Sequence, residues 1–261
     1  MSILDYTLEQ FELFLLVLAR TGAILVTVPV LGHRNIPSHV KIGLAMVTAL
    51  VVFPIASIKP AADIPPHLVA YILVVAKELI MGLVLSFVVL LIFVGVQFGG
   101  QMVGIEMGYG IVNVLDPQTA SQVSIIGEFQ YLLALLIFIL TNGHHIMLSG
   151  LVSSFDLVPL GGVTFSSGLS SRLLDMATGI FVVAVKISAP AMVTMFLTST
   201  VLGIAARTVP QMNILLVGFP LKIAIGALML AWSMPFFYFV LTKLIANLNN
   251  DVLEILRYFG G

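Results

Sequence analysis

Long apolar segments constrain this chain more than any other feature of its sequence. Residues 68–98 form 31 positions in which only Lys77 and Glu78 are charged. As a helix rising 1.5 Å per residue, they would extend about 46 Å, whereas the hydrocarbon core of a bilayer is about 30 Å thick. Such segments occur at about 11–31, 40–58, 68–98, 123–160, 173–204 and 212–247. The sequence therefore predicts an all-α protein, built of hydrophobic helical hairpins.

The composition separates this chain from soluble enzymes. Hydrophobic residues make up 60% of it and charged residues 9%, against about 25% charged in an ordinary soluble domain. The net charge of −1 provides no basic surface for nucleic acid. Without cysteine, the chain has neither disulfides nor thiolate metal sites, and we expect no cofactor and no metal.

The first residues differ from a secretory signal. Asp5, Glu9 and Glu12 precede the first apolar segment without any basic residue, whereas a secretory signal begins with a positively charged region. We therefore expect the first segment to be retained.

Two apolar segments carry signs of a broken or kinked helix. TNGHH at 141–145 divides the fourth segment into pieces of about 16 and 15 residues, each shorter than a membrane span. In the last segment Pro220 lacks a backbone donor and can bend the helix beside Lys222. That lysine has two interpretations, a bond to freed carbonyls or solvent, and a contact with a carboxylate of a partner subunit.

Single charges lie inside apolar segments. A lone charge at the centre of a bilayer is costly, so each could be explained by an intramembrane salt bridge or by snorkelling. Taken together they favour helices that are buried against other protein. The loops show too little asymmetry in basic residues to assign a membrane orientation. The charges are Arg20, Lys77, Glu78, Glu128, Lys186 and Lys222.

The stretch GVQFGGQMVGIEMGYGIVNVLDPQTA at 95–120 has six glycines. On a helix, Gly95 and Gly99 share one face, and Gly100, Gly104 and Gly108 lie on the opposite face. Small residues allow close helix approach, so this pattern predicts a helix packed on both sides. Ordinary packing of a membrane helix is the alternative. We expect Gln97 and Gln101 to form polar contacts near the face of Gly100, Gly104 and Gly108, and Glu106 to form one near the face of Gly95 and Gly99. Buried polar or charged contacts are also expected from Glu128, Lys186 and Lys222.

After Gly108 the pattern changes to YGIVNVLDPQTASQ, and we expect the helix to end before Asp116-Pro117. Irregular backbone at membrane depth requires surrounding protein or a water-filled cavity. Ile111, Val112, Val114 and Leu115 are therefore candidates for a hydrophobic obstruction in a lumen. Gly108-Tyr109-Gly110 differs from a potassium filter, because the preceding Thr-Val is missing.

Local signatures of catalysis are missing from the sequence. HExxH, GxSxG, the P-loop pattern and GxGxxG do not occur. The adjacent His144 and His145 would point about 100° apart on a helix and cannot form a zincin pair. We therefore predict that the protein is not an enzyme.

Three separated motifs resemble the flagellar biosynthetic protein FliR family over essentially the whole chain. They are RTGAILVTVPVLGHRNIPSHVKIGLA, FGGQMVGIEMGYGIVNVLDP and QMNILLVGFPLKIAIGALMLAWSMP. The family, whose relatives include injectisome proteins, implies a subunit of the type III export gate. The lysine of its FPLK motif falls on Lys222, without an implied role.

The resemblance also implies an assembly and a location. Its expected partners are FliP and FliQ family subunits in a helical hetero-oligomer, other export-apparatus membrane proteins, and exported flagellar proteins as cargo. Within one export-gate subunit, a FliP-like part would cover 1–173, with a plug loop at 108–120, and a FliQ-like part 174–261. The expected location is the flagellar basal body in the bacterial inner membrane, with much of the complex above the bilayer plane. The implied plug residues are Gly108, Tyr109, Gly110, Ile111, Val112, Asn113, Val114, Leu115 and Asp116.

A second functional class fits some of these features. A secondary transporter or small-solute channel uses broken helices and intramembrane charges to form a site near the midplane. A transporter of this kind is expected to show an internal repeat with matching breaks, and the sequence shows no evident repeat.

Overall fold

A computed structural model describes residues 3–32, 36–57, 65, 67–109, 124–209 and 214–260. These residues form helices and turns, and none of them lies in a β-strand, which confirms the all-α prediction. The helices are α1 (Ile3–Thr27), α2 (Pro29–Gly32), α3 (Ser38–Ala56), α4 (Leu68–Glu106), α5 (Ile125–Leu140), α6 (Gly143–Leu157), α7 (Ser167–Thr208) and α8 (Ile214–Gly260).

Five of the described helices are long and apolar enough to cross a membrane. They are α1, α3, α4, α7 and α8, and the pair α5 and α6 forms a sixth candidate. The predicted break in the fourth apolar segment is confirmed, since α5 has 16 residues and α6 has 15. Asn142, between them, adopts the left-handed conformation with φ 58°, which interrupts a right-handed helix.

Three helices are longer than a bilayer requires. α4, α7 and α8 have 39, 42 and 47 residues, which at 1.5 Å per residue gives about 58, 63 and 70 Å. α8 includes Pro220 and Pro235 within its bounds, so neither proline ends the helix. Each of the three helices therefore extends well beyond a hydrocarbon core of about 30 Å.

The chain divides into two compact units by its internal contacts. Unit 1 consists of Met1–Leu91, Asn142–Ala177 and Ile245–Gly261, and unit 2 of Ile92–Thr141 and Thr178–Leu244. α4, α7 and α8 each contribute to both units. The subdivision into FliP-like and FliQ-like parts stays a prediction.

Unit 1 is built around α1, with α3 packed against it. Phe14 of α1 meets Phe53 of α3 edge to face, with ring centroids 5.7 Å apart. α4 approaches α1 closely at Gly82, where a Cβ would lie only 2.7 Å from Ala23 Cβ. A larger residue at Gly82 would therefore separate these two helices.

The C-terminal end of α8 is held within unit 1 by the segment before α7. Thr164 donates its backbone N–H and its hydroxyl to the carbonyl of Phe259, at 3.1 and 3.0 Å. Ser166 N–H donates to the carbonyl of Tyr258 at 3.3 Å. These bonds satisfy carbonyls that a helix end would otherwise leave without partners.

The core of unit 2 lies between α4, α7 and α8. One buried cluster joins the three helices, and methionine supplies its adaptable side chains. On its other side, α4 packs against α5, where Phe93 meets Phe138 edge to face at 5.5 Å. The cluster consists of Val103, Met107, Ala191, Met195 and Leu230.

Candidate functional site

The candidate site lies in unit 2, where α4 ends. Tyr109 N–H donates to Gly104 O at 3.1 Å, and Gly108 N–H donates to Ile105 O at 3.0 Å. Gly108 has φ 94°, a conformation that favours glycine. This pair of bonds is a Schellman motif. α4 ends before Asp116, which confirms the predicted helix end.

One small-residue face of α4 lies against α7. A Cβ on Gly99 would stand 2.8 Å from the backbone oxygen of Ala184, and one on Gly95 would stand 3.0 Å from a methyl of Val183. Real Cβ atoms do not approach a fixed backbone oxygen so closely. Glycine therefore sets the separation of these two helices.

The other small-residue face of α4 lies against the start of α5. A Cβ on Gly100 would stand 2.7 Å from Gly127 Cα, and one on Gly127 would stand 2.9 Å from Gln97 O. Four residues after Gly100, the Cβ position at Gly104 is 2.5 Å from Ser124 Oγ. That hydroxyl accepts the Gly127 N–H at 3.3 Å and caps α5. Both contacts are internal to this chain.

Two of the predicted polar residues meet at this crossing. Gln97 Nε2 donates to Glu128 Oε2 at 3.5 Å, a long hydrogen bond between half-buried side chains. Gln101 and Lys186 are exposed on this chain. A buried contact of either residue therefore requires a partner, and it stays a prediction.

Glu106 and Lys222 are half-buried. Among the residues that the structure describes, neither side chain forms a hydrogen bond or an ion pair. The expected bond from Lys222 to freed carbonyls is therefore not present among the described residues, whereas contact with solvent and contact with a carboxylate of a partner subunit stay predictions.

The proposed plug is described only at its first two residues. Gly108 and Tyr109 belong to the Schellman motif, and both are half-buried. Tyr109 packs against the buried cluster of unit 2. The remaining plug residues, Gly110, Ile111, Val112, Asn113, Val114, Leu115 and Asp116, lie outside the described residues.

α8 contacts the end of α4 at two points. A Cβ on Gly108 would stand 2.7 and 2.8 Å from the Cδ1 and Cε1 atoms of Phe219. A Cβ on Gly226 would stand 2.6 Å from Met107 Cγ. Each contact therefore pairs a glycine of one helix with a large side chain of the other.

A buried salt bridge in unit 1 matches one explanation given for the single charges, although the sequence did not predict which residues pair. Arg20 Nε lies 2.6 Å from Glu78 Oε2, and both side chains are fully buried. Arg20 Nη1 donates to the carbonyls of Ser154 and Val158, each at 2.9 Å. Two opposite charges within apolar segments could have indicated a salt bridge. Which charges pair could not be predicted from local sequence, because Arg20 and Glu78 are 58 positions apart.

This network joins α1, α4 and the end of α6. Glu78 Oε1 accepts the backbone N–H of Gly161 at 2.9 Å, and the guanidinium of Arg20 lies 4.5 Å from the ring centre of Phe155. A buried ion pair is tolerated when further hydrogen bonds satisfy its atoms, and among the described residues Arg20 Nη2 is the one polar atom of this pair without a hydrogen-bond partner. The arrangement is suited to fixing helices rather than to chemistry.

Metal-binding residues are not grouped in the described part of the chain. No cluster of three or more His, Asp or Glu side chains there could hold a metal ion. His144 and His145 lie in the first turn of α6 with ring centroids 4.3 Å apart. Among the described residues, no third His, Asp or Glu side chain lies close enough to complete a metal site with them.

Comparison with known proteins gives one family. The sequence profile of the bacterial export proteins, family 1, matches residues 11–248. The chain is 36% identical over 256 residues to the flagellar biosynthetic protein FliR of Bacillus subtilis (strain 168), covering 97% of this chain and 98% of that protein. The FliR of Escherichia coli (strain K12) is 29% identical over 257 residues, covering 97% of each. That of Aquifex aeolicus (strain VF5) is 27% identical over 254 residues.

Proposed function

This chain belongs to the bacterial export proteins, family 1, alongside the flagellar FliR proteins, and on this premise we propose that it is a non-enzymatic structural and gating subunit of the flagellar type III protein-export gate. The observation that carries the proposal is the match to FliR proteins over 97% of the chain. Because the match covers 97% of this chain and 98% of the Bacillus subtilis protein, it supports the function of that protein family more strongly than a match to one shared segment would.

The helices support a place within a larger assembly. Helices of about 58 to 70 Å exceed the hydrocarbon core about twofold. Large apolar side chains remain exposed along α8, including Leu228, Trp232 and Phe239. Large exposed apolar patches mark surfaces that a membrane or other proteins cover, and a helix longer than the hydrocarbon core leaves part of its surface for other subunits to cover.

The proposed partners are those that the resemblance to the family implies. We assign FliP and FliQ family subunits as neighbours in a helical hetero-oligomer, with residues 1–173 FliP-like and 174–261 FliQ-like. Other membrane proteins of the export apparatus would surround it, and exported flagellar proteins would be its cargo. The inner membrane at the flagellar basal body is the location that fits this role, with much of the complex above the bilayer plane.

The gating part of the proposal concerns the residues after α4. Ile111, Val112, Val114 and Leu115 would fill the lumen at rest, since an apolar constriction excludes water and ions. The fixed end of α4 at Gly108 gives such a segment a defined starting point. Export would proceed when an unfolded substrate displaces it.

The test removes the apolar residues and measures permeability. We expect deletion of residues 110–115 to leave assembly intact and to raise the proton leak of inverted vesicles made from the native membrane, because the constriction is lost. The matched control replaces Gln118, Thr119 and Gln122 of the same segment by alanine, and its vesicles should stay tight. A deletion variant that assembles and holds a proton gradient as well as the wild type would refute the seal.

A further inference from the structure

The length of α3 matches the thickness of a bilayer. Its 19 residues extend about 28 Å at 1.5 Å per residue, close to the hydrocarbon core of about 30 Å. By contrast, α4, α7 and α8 each exceed that thickness about twofold. α3 therefore fits across a bilayer without extending beyond it.

The inner side of α3 is made of small residues and packs within unit 1. Ala45, Ala49 and Ala56 are buried, and at 100° per residue they lie within about 40° of one another. The main neighbour of α3 is α1. Small residues let membrane helices approach closely, so this side of α3 is its contact with protein.

The opposite side of α3 is broad, aliphatic and exposed. Val47, Leu50 and Val51 are between 57% and 67% exposed. Every exposed residue of α3 from Ile42 to Ile55 is apolar, and we call this set the outer face of α3. Branched aliphatic side chains suit fluid acyl chains, which are as apolar as leucine.

The charges near α3 lie at its ends. Lys41 is in the first turn of α3, and its Nζ donates to the carbonyl of Gly32 at 2.9 Å. The next charged residue in the sequence is Lys59, and no Asp or Glu occurs between Glu12 and Asp63. Positive charge beside a membrane span attracts the phosphate groups of anionic lipids. The charge pattern is therefore complementary to lipid headgroups.

We propose that the outer face of α3 contacts the acyl chains of the lipid bilayer, and that α3 thereby sets the height of this chain in the membrane. A helix of matched length resists movement along the membrane normal, because a shift would expose apolar side chains to water. The longer helices extend beyond the bilayer, so their length does not fix this height. The inference depends on α3 and its packing on α1, and it holds without the export role.

The experiment uses the complete complex, purified with its native partners and reconstituted in vesicles. The chain has no cysteine, so Val47→Cys introduces one attachment site on it for a bimane fluorophore. The wild-type complex, labelled in the same way, gives the background from other subunits. We expect the fluorescence at residue 47 to be lost in vesicles of phospholipids brominated near the ends of their acyl chains, since bromine quenches on contact.

Two further positions provide the control and the depth. Asn250→Cys is the control for a polar surface, since Asn250 is exposed on α8, and its fluorescence should not be quenched. Val40, near the start of α3, is 50% exposed. A label at Val40→Cys should be quenched more by lipids brominated near the headgroup than by lipids brominated near the chain ends, and the label at residue 47 should show the opposite order.

Two results would overturn the inference. One is a label at residue 47 that is quenched no more than the label at residue 250, because another subunit or water would then cover the outer face. The other is the same depth order at residues 40 and 47, because α3 would then not cross the bilayer. Either result leaves the proposed export role standing. Recovery of this chain without any other membrane protein would instead refute the proposed function, whatever the quenching at residue 47.

Discussion

At the scale of single residues, the most constrained side chains are Arg20 and Glu78. Each is fully buried, and each takes part in hydrogen bonds beyond the ion pair. The free energy of such a pair is small compared with the cost of leaving one member alone, because an unpaired charge stays buried without water. Stability should therefore depend on both residues together.

Arg20→Met should lower the free energy of unfolding by about 3–5 kcal/mol, since Glu78 would remain buried without its partner. The measurement is the thermal unfolding of the purified protein in detergent. Lys77→Met, an exposed neighbour of Glu78, serves as the control. The double variant Arg20→Met/Glu78→Met should lose less stability than Arg20→Met alone, and the opposite order would contradict this account.

At the scale of helices, α4 is the central element of unit 2. Its glycines at 95 and 99 approach α7, and those at 100 and 104 approach α5. Without Cβ atoms on either face, α4 can pack closely on both sides. Its end then contacts α8 through Met107 and Gly108.

Gly100→Ala should lower the free energy of unfolding by about 1–3 kcal/mol, because the new Cβ would meet the backbone of Gly127 and force the helices apart. Fewer assembled complexes should be recovered from the membrane as a result. Gly203→Ala is the control, since nothing lies within 4 Å of the Cβ position at Gly203. Equal melting temperatures and equal recovery for both variants would show that the crossing of α4 and α5 is loose.

Local sequence patterns predicted the helices better than they predicted contacts. The interruption at 141–145 and the end of α4 before Asp116 depend on turn residues nearby in sequence, and both were predicted correctly. The pairing of Arg20 with Glu78 and the contact of Phe219 with Gly108 join residues far apart in sequence. Periodicity shows which residues share a helix face but not which helix that face meets.

The candidate site shows the same division. The glycine pattern predicted two small-residue faces on α4, whereas Gly127 and Ser124 of α5 were not identified as their neighbours. Polarity alone also failed to distinguish Gln97, which bonds Glu128, from Gln101, which is exposed. Tertiary packing decides such cases.

At the scale of the whole molecule, the three longest helices, α4, α7 and α8, are each longer than one bilayer crossing requires. α8 alone extends about 70 Å, and Trp232 on it is 82% exposed. Within this chain these surfaces stay uncovered, so lipid or other subunits must cover them. Helices longer than a bilayer and membership in the export family are the grounds for the proposal of a subunit surrounded by other subunits.

The mass of the complex purified from the native membrane tests this central claim most directly. Native mass spectrometry of the tagged full chain should show one defined assembly that contains the 28.0 kDa chain together with at least two other membrane protein species in fixed ratio. A secondary transporter would instead be recovered as this chain alone, as a monomer or with copies of itself, and would bind a small solute. Recovery of the chain without any other protein species, under conditions that keep known export gates intact, would contradict the account.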